Sequence, residues 1–321
     1  MGVKLVKLET EFCGIKLRNP TILASGVLGV SGRVLVRAAR EGGAGAVTTK
    51  SCCLQPRRGH SNPVMLPLPR SASFINAVGL SNPGAEEEAR EIAAAKRELD
   101  AARLRAPLIA SFFGASAVEF GDVARVLAKA KPSLLEANVS CPNVESDLGR
   151  PFAFDAQACR KVVEEVKAAA PRIPLSVKLS PNAPNLVEVA RACEEAGADA
   201  ITAVNTLGPG MVINAEARAP VLSNKVGGVS GAALKPIALR CVYSLYETLE
   251  IPIIGTGGIA SGRDAIEMLE AGASAVGIGT AVYYRGLKVF SLVCEEMNSW
   301  MKENGFARTN DLVGLAHEGK K

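Results

Sequence analysis

The sequence predicts an α/β fold, a parallel (β/α)8 barrel of the TIM type, on three observations. Eight short apolar runs alternate along the chain with segments that have the apolar spacing of helices. The runs are apolar enough for both faces to be buried, as in a parallel sheet enclosed by helices. Nearly every run ends in Lys, Asn, Ser or Gly, and a barrel gathers its active site at the carboxyl ends of its strands. A doubly wound sheet is the alternative architecture.

The predicted strands are rich in Val, Ile and Leu, and each stops at a polar residue, a proline or a small residue. They are TILASG (21–26), AVTTKS (46–51), PLIASFFG (107–114), LLEANVSCP (134–142), PLSVKLSP (174–181), AITAVNTLG (200–208), PIIGTGG (252–258) and AVGIGTA (275–281). The predicted helices between them include residues 83–104, 155–170, 184–197 and 262–272.

Three segments are longer than an ordinary connection between a strand and a helix: residues 52–82, 142–154 and 208–234. All three follow predicted strand ends, where long inserted loops commonly bind ligands or act as lids. The stretch GIKLRNP (14–20) predicts a short N-terminal hairpin that closes the opposite end of the barrel. Since no linker or repeat interrupts the pattern, the sequence predicts one domain over residues 1–321.

Composition narrows the class of protein. The net charge of +5 is spread along the chain and only 4% of residues are aromatic, which disfavours nucleic acid as a partner. The opening MGVKLVKLETEF lacks the apolar core of a signal peptide, so we expect a cytoplasmic protein without a membrane segment. Eight cysteines are scattered without a CxxC pair, so we expect no metal in this chain and any iron–sulfur cluster in another subunit.

Glycine-rich turns and two lysines end four of the predicted strands. GTGG (255–258) and GIGT (277–280) end the last two strands, where a barrel commonly holds phosphate on backbone N–H groups. The ligand is then FMN or a phosphorylated substrate, unless the glycines serve tight turns alone. Lys50 and Lys178 end apolar runs, which favours an anionic ligand or an electronic role over a rim charge.

Amide side chains and one cysteine complete the predicted site. Asn76, Asn138, Asn143 and Asn205 could each serve a turn, but together they suit a ligand rich in amide edges, such as a pyrimidine. Cys141 follows a strand end and precedes a proline, and the chain has only two histidines that could activate a nucleophile. Cys141 can therefore serve as a general base without being a nucleophile, the alternative being a small buried residue.

Nine short motifs along the chain carry a resemblance to one enzyme family. The motifs are ASG (24–26), TK (49–50), NAVGLSNPG (76–84), NVSCPN (138–143), VKLSP (177–181), VNT (204–206), GGVSG (227–231), GTGG and GIGTA. NVSCPN is the most specific of them, and the resemblance extends over nearly the whole length. In these motifs the chain resembles the class 1 dihydroorotate dehydrogenases, FMN-dependent barrels of pyrimidine (UMP) biosynthesis.

The resemblance implies a role for each matching residue. Cys141 would remove the C5 proton of dihydroorotate while a hydride leaves C6, and Lys178 would lie near N1 and O2 of the flavin, where positive charge stabilises its reduced form. The implied substrate contacts are Lys50, Asn76, Ala77, Val78, Gly79, Leu80, Asn138, Asn143, Asn205 and Thr206. The implied FMN contacts are Ala24, Ser25, Gly26, Lys50, Ser51, Asn138, Lys178, Val204, Gly231, Gly257, Gly258, Gly279 and Thr280.

Two further stretches, 184–207 and 222–243, resemble type B more than the fumarate-reducing type A. Type B implies a homodimer of this chain within a heterotetramer, whose second subunit carries FAD and a 2Fe–2S cluster and passes electrons to NAD. One departure is SCCLQP after Lys50, where the family usually has hydroxyl residues at the places of Cys52 and Cys53. Substrate contacts from that loop are therefore open.

Four alternatives remain. A dihydropyrimidine dehydrogenase module is similar in fold and also uses a cysteine, but acts on uracil or thymine and would not need a cation for a substrate carboxylate. A type A enzyme would pass electrons to fumarate. A tRNA dihydrouridine synthase is disfavoured by the mild charge and the few aromatic residues. A flavin subunit that only relays electrons would not need Cys141.

Overall fold

The computed structural model describes residues 6–140 and 152–319 and contains a closed barrel of eight parallel strands. The strands of the barrel are buried along their whole length, apart from Thr256 at the end of one, and this explains their almost unbroken apolar runs. The predicted (β/α)8 barrel is therefore confirmed. The barrel strands are β3 (Thr21–Leu23), β4 (Ala46–Thr48), β7 (Leu108–Phe112), β8 (Leu134–Asn138), β9 (Leu175–Leu179), β10 (Ala200–Ala203), β15 (Ile253–Thr256) and β16 (Ala275–Ile278).

Helices surround the barrel and begin at residues that cap them. The Asp155 side chain accepts hydrogen bonds from the backbone N–H groups of Gln157 and Ala158, and Ser261 and Asp264 form a capping box at the start of another helix. The four predicted helices are present, each with bounds within three residues of those predicted. The helices are α1 (Gly32–Arg40), α2 (Ala85–Ala101), α3 (Ala117–Ala128), α4 (Ala156–Ala169), α5 (Leu186–Glu195), α6 (Lys235–Tyr246), α7 (Gly262–Glu270), α8 (Ala281–Arg285), α9 (Val289–Glu303) and α10 (Leu315–Glu318).

An antiparallel hairpin of β1 (Thr10–Phe12) and β2 (Ile15–Leu17) precedes the barrel, as predicted. Its turn, Cys13 and Gly14, has positive φ at both residues. Phe12 and Leu17 are buried in a cluster with residues from six barrel strands, among them Ile22 and Leu134, toward the amino ends of those strands. The hairpin thus closes the end of the barrel opposite the polar strand ends.

Two of the segments predicted as long loops contain strands instead. They form a four-stranded antiparallel sheet in the order β11–β14–β6–β5, from β5 (Met65–Leu68), β6 (Ser73–Asn76), β11 (Leu207–Gly210) and β14 (Gly227–Gly231). A separate two-stranded hairpin pairs β12 (Ile213–Asn214) with β13 (Ala219–Pro220). The four-stranded sheet has its own apolar cluster around Ile75, Ala77 and Leu222. Loops were predicted here because these strands are short and interrupted by Gly and Pro.

The third long segment, 142–154, is described only from Phe152 to Phe154, which form a turn of 3₁₀-helix. Within residues 6–140 and 152–319, no helix combines the length and the apolarity needed to cross a membrane. The assignment of all 321 residues to one domain stays a prediction.

Candidate active site

A cavity of about 500 Å³ lies between the carboxyl ends of the barrel strands and the small sheet. This volume is within the range of sites for small molecules and cofactors. Residues that follow or end the barrel strands supply most of its lining, which is the place where a barrel holds its active site. The small sheet contributes Met65, Phe74 and Asn76 to the lining. Two of the three long segments, 52–82 and 208–234, therefore contribute to the lining of the cavity.

Nearly all of the residues predicted for the site line this one cavity. Ala77 lies outside the lining, because its side chain is fully buried in the cluster beneath the small sheet. Cys141 and Asn143 lie outside the described residues, so their roles stay predictions. The predicted residues in the lining are Ala24, Ser25, Gly26, Lys50, Ser51, Asn76, Val78, Gly79, Leu80, Asn138, Lys178, Val204, Asn205, Thr206, Gly231, Gly257, Gly258, Gly279 and Thr280.

The glycine turns form a tight backbone surface on one side of the cavity. Gly257 and Gly231 have φ of +139° and +88°, a region that favours glycine. A Cβ at Gly231 would lie 2.6 Å from the carbonyl oxygen of Ala72, and one at Gly257 would lie 2.6 Å from Cβ of Ala238. Because side chains are excluded there, a ligand can approach the backbone itself. This surface fits the phosphate end of a flavin mononucleotide.

Asparagine and serine side chains form a connected row in the cavity. Asn138 donates through Nδ2 to Ser51 Oγ at 3.1 Å. Asn205 donates to Asn138 Oδ1 at 3.3 Å and to Ser140 Oγ at 2.9 Å, and Ser140 Oγ donates to Asn138 Oδ1 at 3.0 Å. These bonds fix the orientation of the two amides before any ligand binds. A fixed row of amides suits a planar ligand with amide edges.

Lys178 brings a positive charge to the same cavity. Its side chain lies on β9 and only 5% of the residue is exposed. Nζ lies 3.9 Å from Oε1 of Glu136, which is also buried, on β8. A buried charge is tolerated when an opposite charge compensates it. The site therefore holds a cation beside the row of amides.

The prediction missed the apolar and aromatic part of the lining, which includes Met65, Phe74, Leu234, Tyr283 and Tyr284. The rings of Phe74 and Tyr283 meet edge to face with centroids 4.8 Å apart, and Tyr284 Oη donates to the carbonyl oxygen of Ser73 at 2.8 Å. The adjacent tyrosines, three and four residues after the GIGT turn, were the available signal. They tie the last barrel strand to the small sheet.

Cys52 and Cys53, where the sequence departs from the family pattern, both lie outside the lining of the cavity. Cys52 is fully buried, and burial together with the nearby Glu88 carboxylate raises the pKa of its thiol well above the ordinary value. Burial also raises the pKa of Cys53, whose Sγ donates to the carbonyl oxygen of Gln55 at 3.1 Å. Both positions are therefore packing positions. In the part of the chain that the structure describes, no three His, Cys, Asp or Glu side chains are grouped to hold a metal ion.

Comparison with known proteins agrees with this geometry. Residues 7–301 match the family model described as dihydroorotate dehydrogenase. Three relatives are each named dihydroorotate dehydrogenase B (NAD(+)), catalytic subunit. The protein of Methanothermobacter thermautotrophicus is 45% identical over 97% of this chain and 99% of its own length. The protein of Methanosarcina mazei is 46% identical over 99% of this chain and 98% of its own length. The protein of Pyrococcus abyssi is 42% identical over 96% of this chain and 99% of its own length. The chain therefore belongs to the dihydroorotate dehydrogenase family.

Proposed function

We propose that this chain is the FMN-bearing catalytic subunit of an NAD-linked dihydroorotate dehydrogenase, which oxidises dihydroorotate to orotate in pyrimidine biosynthesis. One observation carries the proposal: a single cavity joins the glycine turns, two lysines and a fixed row of amides, in a chain that matches the family over residues 7–301. A phosphate-bearing flavin and an anionic pyrimidine need these three features together.

The glycine surface and Thr280 would hold the phosphate of FMN in this proposal, and Lys178 would lie toward the pyrimidine edge of its ring system. When bound, FMN supplies the acceptor for the two electrons that leave the substrate. The positive charge of Lys178 stabilises negative charge that develops at that edge. Phe74 and Leu234 exclude water from the apolar side of the cavity.

Lys50 pairs with the substrate carboxylate, while Asn76, Asn138 and Asn205 bind the amide edges of the ring. Cys141, which the resemblance marks as the base, accepts the C5 proton as a thiolate, and a C5=C6 double bond forms as two electrons leave with the hydrogen on C6. A thiol of ordinary pKa is largely protonated at neutral pH, so the base gains from raised pH or a nearby cation. A uracil-type substrate has no carboxylate and makes no use of Lys50.

A second subunit carries the electrons onward in the proposal. The relatives are named catalytic subunits of NAD(+)-linked enzymes, and such a name calls for another chain that reacts with NAD. We propose that this partner holds FAD and a 2Fe–2S cluster and that two copies of each chain form a heterotetramer. Co-purification with the partner and NAD-dependent turnover test this assembly, and fumarate as the sole acceptor would place the chain in type A instead.

The first experiment is an anaerobic titration of the purified, flavin-loaded chain with dihydroorotate, with dihydrouracil as the parallel ligand. We expect dihydroorotate alone to bleach the visible flavin absorbance. Cys141→Ala should retain the flavin and slow its reduction by about 100-fold or more, the usual contribution of a general base. Cys13→Ser, in the hairpin at the opposite end of the barrel, is the matched control and should reduce at the wild-type rate. Bleaching by dihydrouracil alone, or rapid reduction of Cys141→Ala, contradicts the proposal.

A further inference from the structure

Glu136 is a buried carboxylate beneath the cavity that the predicted site did not include. It lies on β8, two residues before Asn138, and only 3% of the residue is exposed. Its backbone pairs with Ser111 on β7 and Ser176 on β9, so the three side chains share one layer inside the barrel. Glutamate is rarely buried to this degree unless it is paired.

Hydroxyl groups hold the Glu136 carboxylate in one position. Ser111 Oγ donates to Oε1 at 3.0 Å and Thr202 Oγ1 donates to Oε2 at 3.0 Å. Ser51 Oγ lies 2.9 Å from Ser111 Oγ, and Ser176 Oγ lies 2.8 Å from Thr202 Oγ1, which extends the network to both sides. Both carboxylate oxygens thus accept a hydrogen bond from a hydroxyl group.

The Glu136 carboxylate lies beneath Lys178 but accepts no hydrogen bond from its ammonium group. The distance of 3.9 Å between Lys178 Nζ and Glu136 Oε1 is too long for a hydrogen bond, so the attraction is electrostatic. Glu136 therefore compensates the positive charge of Lys178 from beneath the cavity, while Lys178 itself lines the cavity. An ammonium buried without a counter-charge is costly, and a ligand that fills the cavity would bury it further.

We propose that Glu136 is a positioning residue that keeps Lys178 positively charged at the flavin and thereby raises the reduction potential of the bound cofactor. The inference rests on the proposed function for the identity of the cofactor. Without the negative charge, Lys178 loses its proton or leaves the cavity floor, and in both cases the cation disappears from the flavin edge. The proposal assigns the effect of Glu136 on the flavin to its charge beside Lys178 and not to the hydroxyl network that leads to Ser51.

The test measures the potential of the bound flavin by redox titration in the flavin-loaded wild type, Glu136→Gln, Lys178→Met and the double variant. We expect each single change to disfavour the reduced flavin by at least tenfold, which is about 30 mV for a two-electron couple. The double variant should match Lys178→Met, because in this proposal the charge of Glu136 affects the flavin through Lys178. Ser176→Ala, which removes a hydroxyl of the same network but no charge, is the matched control and should keep the wild-type potential.

A second measurement needs no cofactor. Acetic anhydride modifies a neutral amine and not an ammonium, so peptide mass spectrometry of the apoprotein reports the charge on Lys178, with Lys50 of the same cavity as internal reference. Glu136→Gln should raise the labelling of Lys178 relative to Lys50 at least about tenfold, a change that corresponds to about 1.4 kcal/mol. If the double variant folds but Glu136→Gln does not, the Lys178 charge left without Glu136 is what destabilises the single variant, and this result would also support the proposal.

The inference is overturned if Glu136→Gln leaves the potential unchanged or raises it, if the two substitutions act additively, or if labelling of Lys178 does not rise. Failure of the proposed function shows elsewhere. A wild-type flavin that dihydroorotate does not bleach contradicts that function, while reduction by dithionite still gives the potentials. A chain that binds no flavin leaves the labelling experiment to decide the role of Glu136.

Discussion

Replacing Glu88 should stabilise the protein in a pH-dependent manner. Glu88 lies on α2 with 1% of the residue exposed, and neither carboxylate oxygen has a hydrogen-bond partner. Burial, with smaller contributions from the charges of Glu91 and Glu87, raises its pKa from the ordinary 4.5 to about 8. Each pKa unit corresponds to about 1.4 kcal/mol, so full ionisation of Glu88 costs the folded state about 5 kcal/mol.

The sign follows from proton binding. Between pH 4.5 and about 8, folded Glu88 keeps a proton that the unfolded chain has released. Its contribution to stability is therefore complete below pH 4.5 and is lost as the pH rises through the folded pKa. The glutamine in Glu88→Gln cannot titrate. The difference in free energy of unfolding between this variant and the wild type should therefore rise by about 3 kcal/mol in favour of the variant from pH 5 to pH 7.

The assay is urea denaturation of both proteins at pH 5, 6, 7 and 8, followed by the fluorescence of Trp300, the single tryptophan. Glu86→Gln is the matched control, because Glu86 lies in the same turn of α2 but is exposed and pairs with Lys129 on the surface. The free energy of unfolding of Glu86→Gln should differ from that of the wild type by the same amount at every pH. A constant difference between Glu88→Gln and the wild type across this range would refute the buried titration.

Three further predictions follow from packing and burial. Gly277→Ala should destabilise the protein by about 1–3 kcal/mol in urea denaturation and weaken flavin binding in a fluorescence titration, since its Cβ would clash with Thr256 Oγ1 at the cavity wall. Burial raises the pKa of Cys13 and Cys294 to about 12 each, so neither thiol should react with iodoacetamide at pH 8 until the protein is denatured. Cys52→Ser should lower the free energy of unfolding by about 1–3 kcal/mol without changing dihydroorotate affinity, because the new hydroxyl is buried away from the cavity.

The barrel was predictable because two periodic signals agreed. Each buried strand, such as LSVKL on β9, is an apolar run that carries its polar residue near the carboxyl end, and each is followed by helical spacing. The same pattern predicted that Lys50 and Lys178, which end two of the strands, line one cavity. Position relative to a strand end therefore predicted the location of the site better than residue type alone.

What the sequence did not reveal depends on contacts distant along the chain. The strands LGPG and GGVSG have no alternation, because pairing with each other across the small sheet stabilises them. Glu136 lies inside an apolar run, and its partners, the hydroxyls of Ser111 and Thr202 and the ammonium of Lys178, all lie on other strands. Glu88 likewise appears as one of several glutamates in an acidic first turn, and its burial depends on tertiary packing.

The pairing of β6 with β14 makes the small sheet a molecular ruler. At one end of the pair Gly231, beside the glycine surface, meets Ser73, and at the other end Gly228 meets Asn76 beside the row of amides. Three residue steps along a strand span roughly 10 Å. The distance between the glycine surface and the row of amides is thus set by backbone hydrogen bonds rather than by side chains. A one-residue deletion in either strand would therefore shift one binding region against the other by about 3.4 Å, the rise of one residue along a strand.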